Sequence, residues 1–288
     1  MARSEALGIV REVTLSAGRI RYRELGEGPP VVFVHGLLVN ADLWRAVVSE
    51  VAEAGLRCIA PDWPLGSHEL PVPEADLSPP GLAALIAEFL DRLDLHDVTL
   101  VANDTGGAIA QILMAEHPER VGRVVLTPSD SLERFFPPVF APLPKVARIP
   151  GSMWLLAQLL RMRALHRLPF TFGWVAKRPI PPDIVDSYLL PSRTDAKVRR
   201  DLGRFLRGVH RRHTLAAARA LPRFTKPVLL AWAEEDRLFP VELAHRLAGL
   251  LPQVTVVTIK DSYTFVPEDQ PEALARLVVD FARAHARA

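Results

Sequence analysis

Val31-Val32-Phe33-Val34 is a run of four apolar residues closed at once by His35-Gly36, and nothing else in the chain restricts its fold as much. A strand with one wet face alternates apolar and polar side chains. A uniform apolar run fits a strand covered on both faces, as in a sheet held between helices. The pattern around it repeats. Residues 9–15 and 20–26 read as two edge strands joined through Ala17-Gly18, and 41–54 as a helix stopped by Gly55. A strand at 57–60, closed by Pro61-Asp62, precedes a helix at 82–93, a strand at 98–102 and a helix at 107–116. Strands at 121–126 and 227–232, a helix at 241–250, a strand at 254–259 and a helix at 271–286 complete the series. This order predicts an α/β protein with a mostly parallel eight-stranded sheet flanked by helices and joined by right-handed crossovers.

Between Pro128 and about Pro222 the alternation stops. Phe135-Phe136-Pro137-Pro138, Pro142, Pro144 and Pro179-Ile180-Pro181-Pro182 punctuate helical segments that have no strand pattern. Each proline restricts its own backbone and that of the residue before it, so these positions mark helix boundaries. Because the strand rhythm then resumes, residues 131–222 read as a helical cap inserted over the C-terminal edge of the sheet. Residues 1–130 and 223–288 form the core. A second independent domain is the less economical alternative.

Composition removes several function classes. With 49% hydrophobic and 24% charged residues the chain is neither disordered nor fibrous. Its 35 Lys and Arg against 33 acidic residues leave a net charge of +2, which gives no case for a nucleic-acid partner. The lone cysteine, Cys58, lies in an apparent buried strand and permits no internal disulfide. No signal-peptide pattern and no 18-residue apolar stretch is present, so a cytoplasmic protein without a membrane partner is expected, as monomer or homodimer.

Val101-Ala102-Asn103-Asp104-Thr105-Gly106-Gly107 reads as a strand, a sharp turn carrying an acid, and the start of a helix. Trp232-Ala233-Glu234-Glu235-Asp236 places a second acid after a later strand, and Asp130 follows the strand at 121–126. Together with His35-Gly36, Pro240 and Phe265-Val266-Pro267-Glu268-Asp269-Gln270-Pro271, these landmarks resemble the α/β-hydrolase superfamily over almost the whole length. Within it they resemble the branch of haloalkane dehalogenases and epoxide hydrolases. The resemblance implies the α/β-hydrolase fold, with Asp104 as nucleophile and Asp236 as its supporting acid. It also implies that the backbone N–H groups of Leu37 and Thr105 serve as oxyanion donors, and that the substrate is a small molecule. A carboxylate so placed can displace halide or open an epoxide, leaving an ester that water must hydrolyse. The competing reading of Asp104 is a helix N-cap, and of Asp236 a solvent-facing loop acid. Asp130 reads either as a fallback acid or as a turn or helix-cap residue.

The histidine that the resemblance requires before Phe265 is absent, and Thr264 stands there. Threonine cannot take a proton near neutral pH, and the neighbouring Tyr263 is poorly suited to that task. His245 and His285 fall on helices away from the landmarks. His68, in Pro64-Leu65-Gly66-Ser67-His68, is the candidate replacement base, and His35, in the oxyanion loop, is with Asp130 a candidate substrate-binding residue; the competing reading of both histidines is an ordinary loop hydrogen bond. Trp154, Phe170, Phe172, Trp174 and Tyr188 of the cap could line a substrate pocket or merely pack it down. Thr105 and Leu37 replace side chains that halide binding usually draws on, and Tyr188 is the only cap tyrosine. Leu25-Gly26-Glu27-Gly28-Pro29 lacks phosphate-loop spacing, and no Cys/His cluster suggests a metal, so no cofactor is expected. A hydrolytic enzyme with an impaired base therefore competes with a lyase or isomerase that uses Asp104 as acid/base, and with a ligand-binding protein on the same scaffold.

Overall fold

The apolar run forms strand β3 (Pro30–Val34), whose residues Val31 to Val34 are at most 1% exposed. The computed structural model describes residues 4–286. It places β3 inside an eight-stranded sheet with β1 (Ile9–Leu15), β2 (Gly18–Leu25), β4 (Arg57–Pro61), β5 (Val98–Asp104), β6 (Val121–Ser129), β7 (Val228–Ala233) and β8 (Val254–Ile259). The spatial order is β1-β2-β4-β3-β5-β6-β7-β8, antiparallel from β1 through β4 and parallel from there on. This is the α/β-hydrolase fold.

The chain leaves β3 toward β4 on one side and returns as β5 on the other. Loops after β3 and β5 therefore diverge, and the gap between them is where an open α/β sheet offers a crevice. Leu37 lies on the loop after β3, and Asp104 is the last residue of β5.

Helices α1 (Val48–Glu53), α2 (Pro79–Arg92) and α3 (Thr105–Glu116) cover the first half of the sheet. The single helix expected over 41–54 is split. Asn40 Oδ1 accepts from Asp42 N at 3.0 Å and Asp62 Oδ1 from Ala41 N at 3.1 Å, so these amides start a tight turn rather than a helix. Helix α2 begins earlier than its apolar pattern suggested, because Ser78 Oγ accepts from Gly81 N at 3.2 Å and Pro79 fits the first turn.

The regular structure of the inserted segment is helical, joined by turns, with only an isolated bridge between Ser131 and Arg134. It comprises α4 (Leu143–Val146), α5 (Ser152–Leu159), α6 (Pro182–Thr194), α7 (Ala196–Gly208) and α8 (Arg211–Ala220). Helices α4 to α7 pack on one another above the sheet edge, whereas α8 lies against α3 of the core layer. Helices α9 (Val241–Ala248), α10 (Val266–Asp269) and α11 (Pro271–Ala284) close the chain. Polar contacts seal α6 to the core. Ser187 Oγ donates to Asp42 Oδ2 at 2.5 Å, and the Tyr188 hydroxyl donates to Glu268 Oε1 at 2.8 Å, beside the Arg45–Glu268 pair.

Candidate active site

Strand β5 meets α3 at Asp104 with no loop between them, a sharper turn than the spacing from Ala102 to Gly107 suggested. Asp104 has φ 55° and ψ −131°, a region that side-chain-bearing residues rarely enter. Its neighbours have to be small. A Cβ on Gly36 would collide with the Asp104 carboxylate, on Gly106 with the carbonyls of Val34 and His35, and on Gly107 with the Ser129 side chain. Asp104 occupies the N-cap position of α3 yet closes no capping bond with its side chain. Its Oδ2 accepts instead from Leu37 N at 3.2 Å.

Burial raises the Asp104 carboxyl to about 6, against the pull of the Thr105 and Leu37 amides and the Thr105 hydroxyl. The Thr105 hydroxyl also donates to Asp130 Oδ2 at 3.2 Å. Asp130 is wholly buried, and burial together with the charge of Asp104 lifts its carboxyl well above the usual range. Of the two, Asp130 lacks the backbone amides that favour the charged form of Asp104. Its carbonyl accepts from Gln111 Nε2 at 2.9 Å, which fixes the loop after β6 against α3.

Asp236 follows β7. Its Oδ1 accepts from Leu238 N at 2.7 Å and Phe239 N at 2.6 Å. Burial still raises it to about 7, with those two amides opposing the shift. The Thr264 hydroxyl is near enough to favour the charged form of Asp236, yet neither it nor Asp236 Oδ2 closes a hydrogen bond within the protein. Asn103 Nδ2 donates to Thr264 O and Thr127 Oγ1, each at 2.7 Å, so the residue before Asp104 fixes the Thr264 backbone. Three carboxyls thus gather at one sheet edge. They are held by amides and hydroxyls, and none of the hydrogen bonds to them comes from a side-chain cation.

Above Asp104 lies a cavity of about 210 Å³. Asp104, Thr105 and Thr171 supply its polar side chains; Leu37, Phe136, Phe140, Leu156, Leu160 and Phe172 are among the apolar ones. Of the cap aromatics singled out from sequence, Phe170 and Phe172 line it. Trp154 is exposed, Trp174 packs half-buried against the core, and Tyr188 is buried with its hydroxyl on Glu268. Neither of the loop histidines faces the cavity. His35 Nδ1 donates to Gly36 O at 2.9 Å while Nε2 accepts from Trp63 N at 2.9 Å, which fixes the neutral ring as a brace between two loops. His68 Nε2 lies 3.3 Å from Asp201 Oδ2 of α7. Phe136, Phe140, Leu156 and Leu160 were not anticipated as lining. The Phe-Phe-Pro-Pro run was the available signal, and it was informative about backbone breaks only.

A family model described as "Alpha/beta hydrolase family" matches residues 31–277. Among curated proteins the chain is similar to haloalkane dehalogenase 2 of Mycobacterium tuberculosis, 28% identical over 280 residues and covering 92% of each chain. It is similar also to the uncharacterized hydrolase YugF of Bacillus subtilis, 27% identical over 284 residues, covering 97% of this chain and all of that one. Among solved structures, the haloalkane dehalogenase DatA of Agrobacterium tumefaciens superposes with a TM-score of 0.81 at 23% identity, covering 98% of this chain and 100% of that one. That superposition speaks for the fold.

Proposed function

Because the chain belongs to the alpha/beta hydrolase family, we propose that it acts on a small apolar electrophile, of haloalkane, epoxide or ester type, through the Asp104 carboxylate. The Leu37 amide holds Oδ2 at 3.2 Å, and the Asp104 residue lines the cavity, so Oδ1 is the oxygen taken to attack. For a haloalkane, Oδ1 forms a bond to carbon as the carbon–halogen bond breaks, and the electron pair leaves with the halide. Epoxide opening leaves that pair on the ring oxygen, which then takes up a proton. Either route puts an alkyl ester on Asp104, and the second step is attack of water on that ester.

The second step is the weak one. Thr264 supplies no base, His35 is locked by two backbone groups, and His68 is engaged with Asp201. The ester accordingly outlives its formation. No side-chain N–H lines the cavity to hold a departing halide, which favours substrates whose leaving groups need little stabilisation. The observation that carries this reading is the strained Asp104 turn with an amide on its carboxylate at the floor of an apolar cavity.

Intact mass after incubation with haloalkanes, epoxides and activated esters tests it. A stable adduct on the protein that is missing in Asp104→Asn is the expected result. Product release that survives Asp104→Asn, with no adduct, would overturn it.

One observation favours a second reading. With its carboxyl at about 6 and a hydroxyl link to Asp130, whose own carboxyl burial raises, Asp104 can both take and return a proton near neutral pH. That suits isomerase or lyase chemistry, which forms no ester. Solvent deuterium in recovered substrate, absent with Asp104→Asn, distinguishes it.

A further inference from the structure

We propose that the outer face of the cap, centred on α5, docks on the surface of an anionic phospholipid bilayer. Among the described residues eight large hydrophobic side chains are exposed, and six of them fall between Ile149 and Phe170: Ile149, Trp154, Leu155, Leu159, Met162 and Phe170. Helix periodicity explains the concentration. Met153, Ala157 and Leu160 share the buried face of α5, while Trp154, Leu155 and Leu159 point outward, with Trp154 at 56% and Leu155 at 53% exposure. An apolar face of this extent on an otherwise polar surface marks an interaction site.

Charge identifies what covers it. Residues 134–182 contain no Asp or Glu, although the chain has 33. They do contain Arg134, Lys145, Arg148, Arg161, Arg163 and Arg167; Lys177 and Arg178 are also there but pair with Glu235 and Asp261, so they add nothing to this face. Arg148, Arg199, Arg200 and Arg207 line one groove of about 410 Å³ together with Trp154, and no carboxylate lines it. Arg199 and Arg207 donate to carbonyls, at 2.9 Å to Ser192 O and 3.0 Å to Ala147 O, rather than to carboxylates. Asp186 intrudes at the edge, where it pairs with Arg163 at 3.0 Å and Arg193 at 3.4 Å.

Exposed Trp and Leu ringed by arginines is the composition of a segment that lies in the headgroup layer, its rings and methyls below the phosphates and its guanidiniums at them. A second copy of the chain fits poorly, because a two-fold contact would bring the same cations face to face. No helix among the described residues is long and apolar enough to cross a membrane; resting on one makes no such demand. The surface also joins the cavity. Phe170 is 55% exposed and lines it, and Leu156 and Leu160 line it from the inner side of α5. An apolar solute dissolved in the bilayer would meet Phe170 first. Docking does not rest on the chemistry proposed for Asp104.

Co-sedimentation of the full chain with vesicles of phosphatidylcholine alone, or of phosphatidylcholine with phosphatidylglycerol, tests the proposal. Partitioning onto the anionic vesicles should exceed that onto neutral ones by about tenfold and fall steeply as salt is raised. Leu155→Asp with Leu159→Asp should cut it by about tenfold or more while circular dichroism stays unchanged, since both side chains point outward. Arg148→Glu with Arg200→Glu should erase the preference for anionic vesicles. Bromine on the acyl chains should quench emission of the wild type and not of Trp154→Phe. Equal partitioning on both vesicles, or partitioning indifferent to the Leu155 and Leu159 changes, overturns the proposal. So does a dimer, seen by light scattering, that the same two changes disperse.

Discussion

The Thr105 hydroxyl donates to Asp130 Oδ2 across 3.2 Å, and in doing so connects the carboxyl that faces the cavity with one sealed behind it. The same hydroxyl, with the Thr105 and Leu37 amides, opposes the rise that burial imposes on Asp104. Buried carboxyls this close do not ionise together, and their ordering is set by which one the donors favour. Here the donors favour Asp104.

Ester formation requires the Asp104 carboxylate, so its rate should climb with pH through about 6 and level off above. Thr105→Val keeps the shape and removes the hydroxyl. The midpoint of the adduct-formation profile, followed by intact mass, should then move upward. An unmoved midpoint would show that the hydroxyl does not act on Asp104.

Asp236 offers a stability test. Its folded carboxyl, raised to about 7, binds protons more tightly than the unfolded chain's does, near 3.8. Its stabilising contribution is therefore complete below about pH 4 and is lost as pH rises through about 7. Asp236→Asn removes that titration while its amide oxygen still accepts from Leu238 and Phe239. Denaturant midpoints should show the variant gaining on the wild type between pH 4 and 8, by an amount on the order of a few kcal/mol. A pH-independent difference would refute the assignment.

Thr264→His tests the weak second step. Asp236 Oδ2 has no partner within the protein and could accept an imidazole N–H. Decay of the Asp104 adduct should quicken by roughly 10²–10⁴-fold, the usual range for a positioned general base. Thr264 is fully buried, so a thermal melt must accompany the kinetics. An intact fold with an unchanged adduct lifetime counts against the reading of Thr264 as the missing base.

Gly36→Ala places a methyl where the Asp104 carboxylate now sits. Adduct formation should drop by about 100-fold, as expected when a reacting atom is moved by about an ångström. The sheet itself should persist by circular dichroism. Full reactivity would mean that Asp104 is not held in the geometry described.

Much of this was legible in the sequence, for identifiable reasons. Val31–Val34 announced a doubly covered strand because burial on two faces removes alternation, and the eight strands lie where their apolar runs placed them. The turn at Asp104 was legible in outline, since Gly106 and Gly107 mark close approach, but its abruptness was not. Strand and helix share that boundary with no spacer, which local propensity does not encode. Side-chain direction within the cap was hidden as well. Trp154, Trp174 and Tyr188 looked like pocket residues by type, yet their directions depend on how α5 and α6 rotate against the core. The Tyr188–Glu268 contact spans 80 positions of chain. The partner of His68 was hidden for a similar reason, because Asp201 belongs to a helix that only the folded cap brings near.

Helix α5 forms one wall of the cavity, a single helix roughly 10 Å across. Leu156 and Leu160 paper its inside and Leu155 and Leu159 its outside. With the outer face resting on a bilayer, as proposed above, a solute passing from one side to the other would exchange hydrocarbon for hydrocarbon and cross no dielectric step. Selectivity at such a wall is decided by girth and shape, and an oily molecule needs no affinity for water in order to arrive.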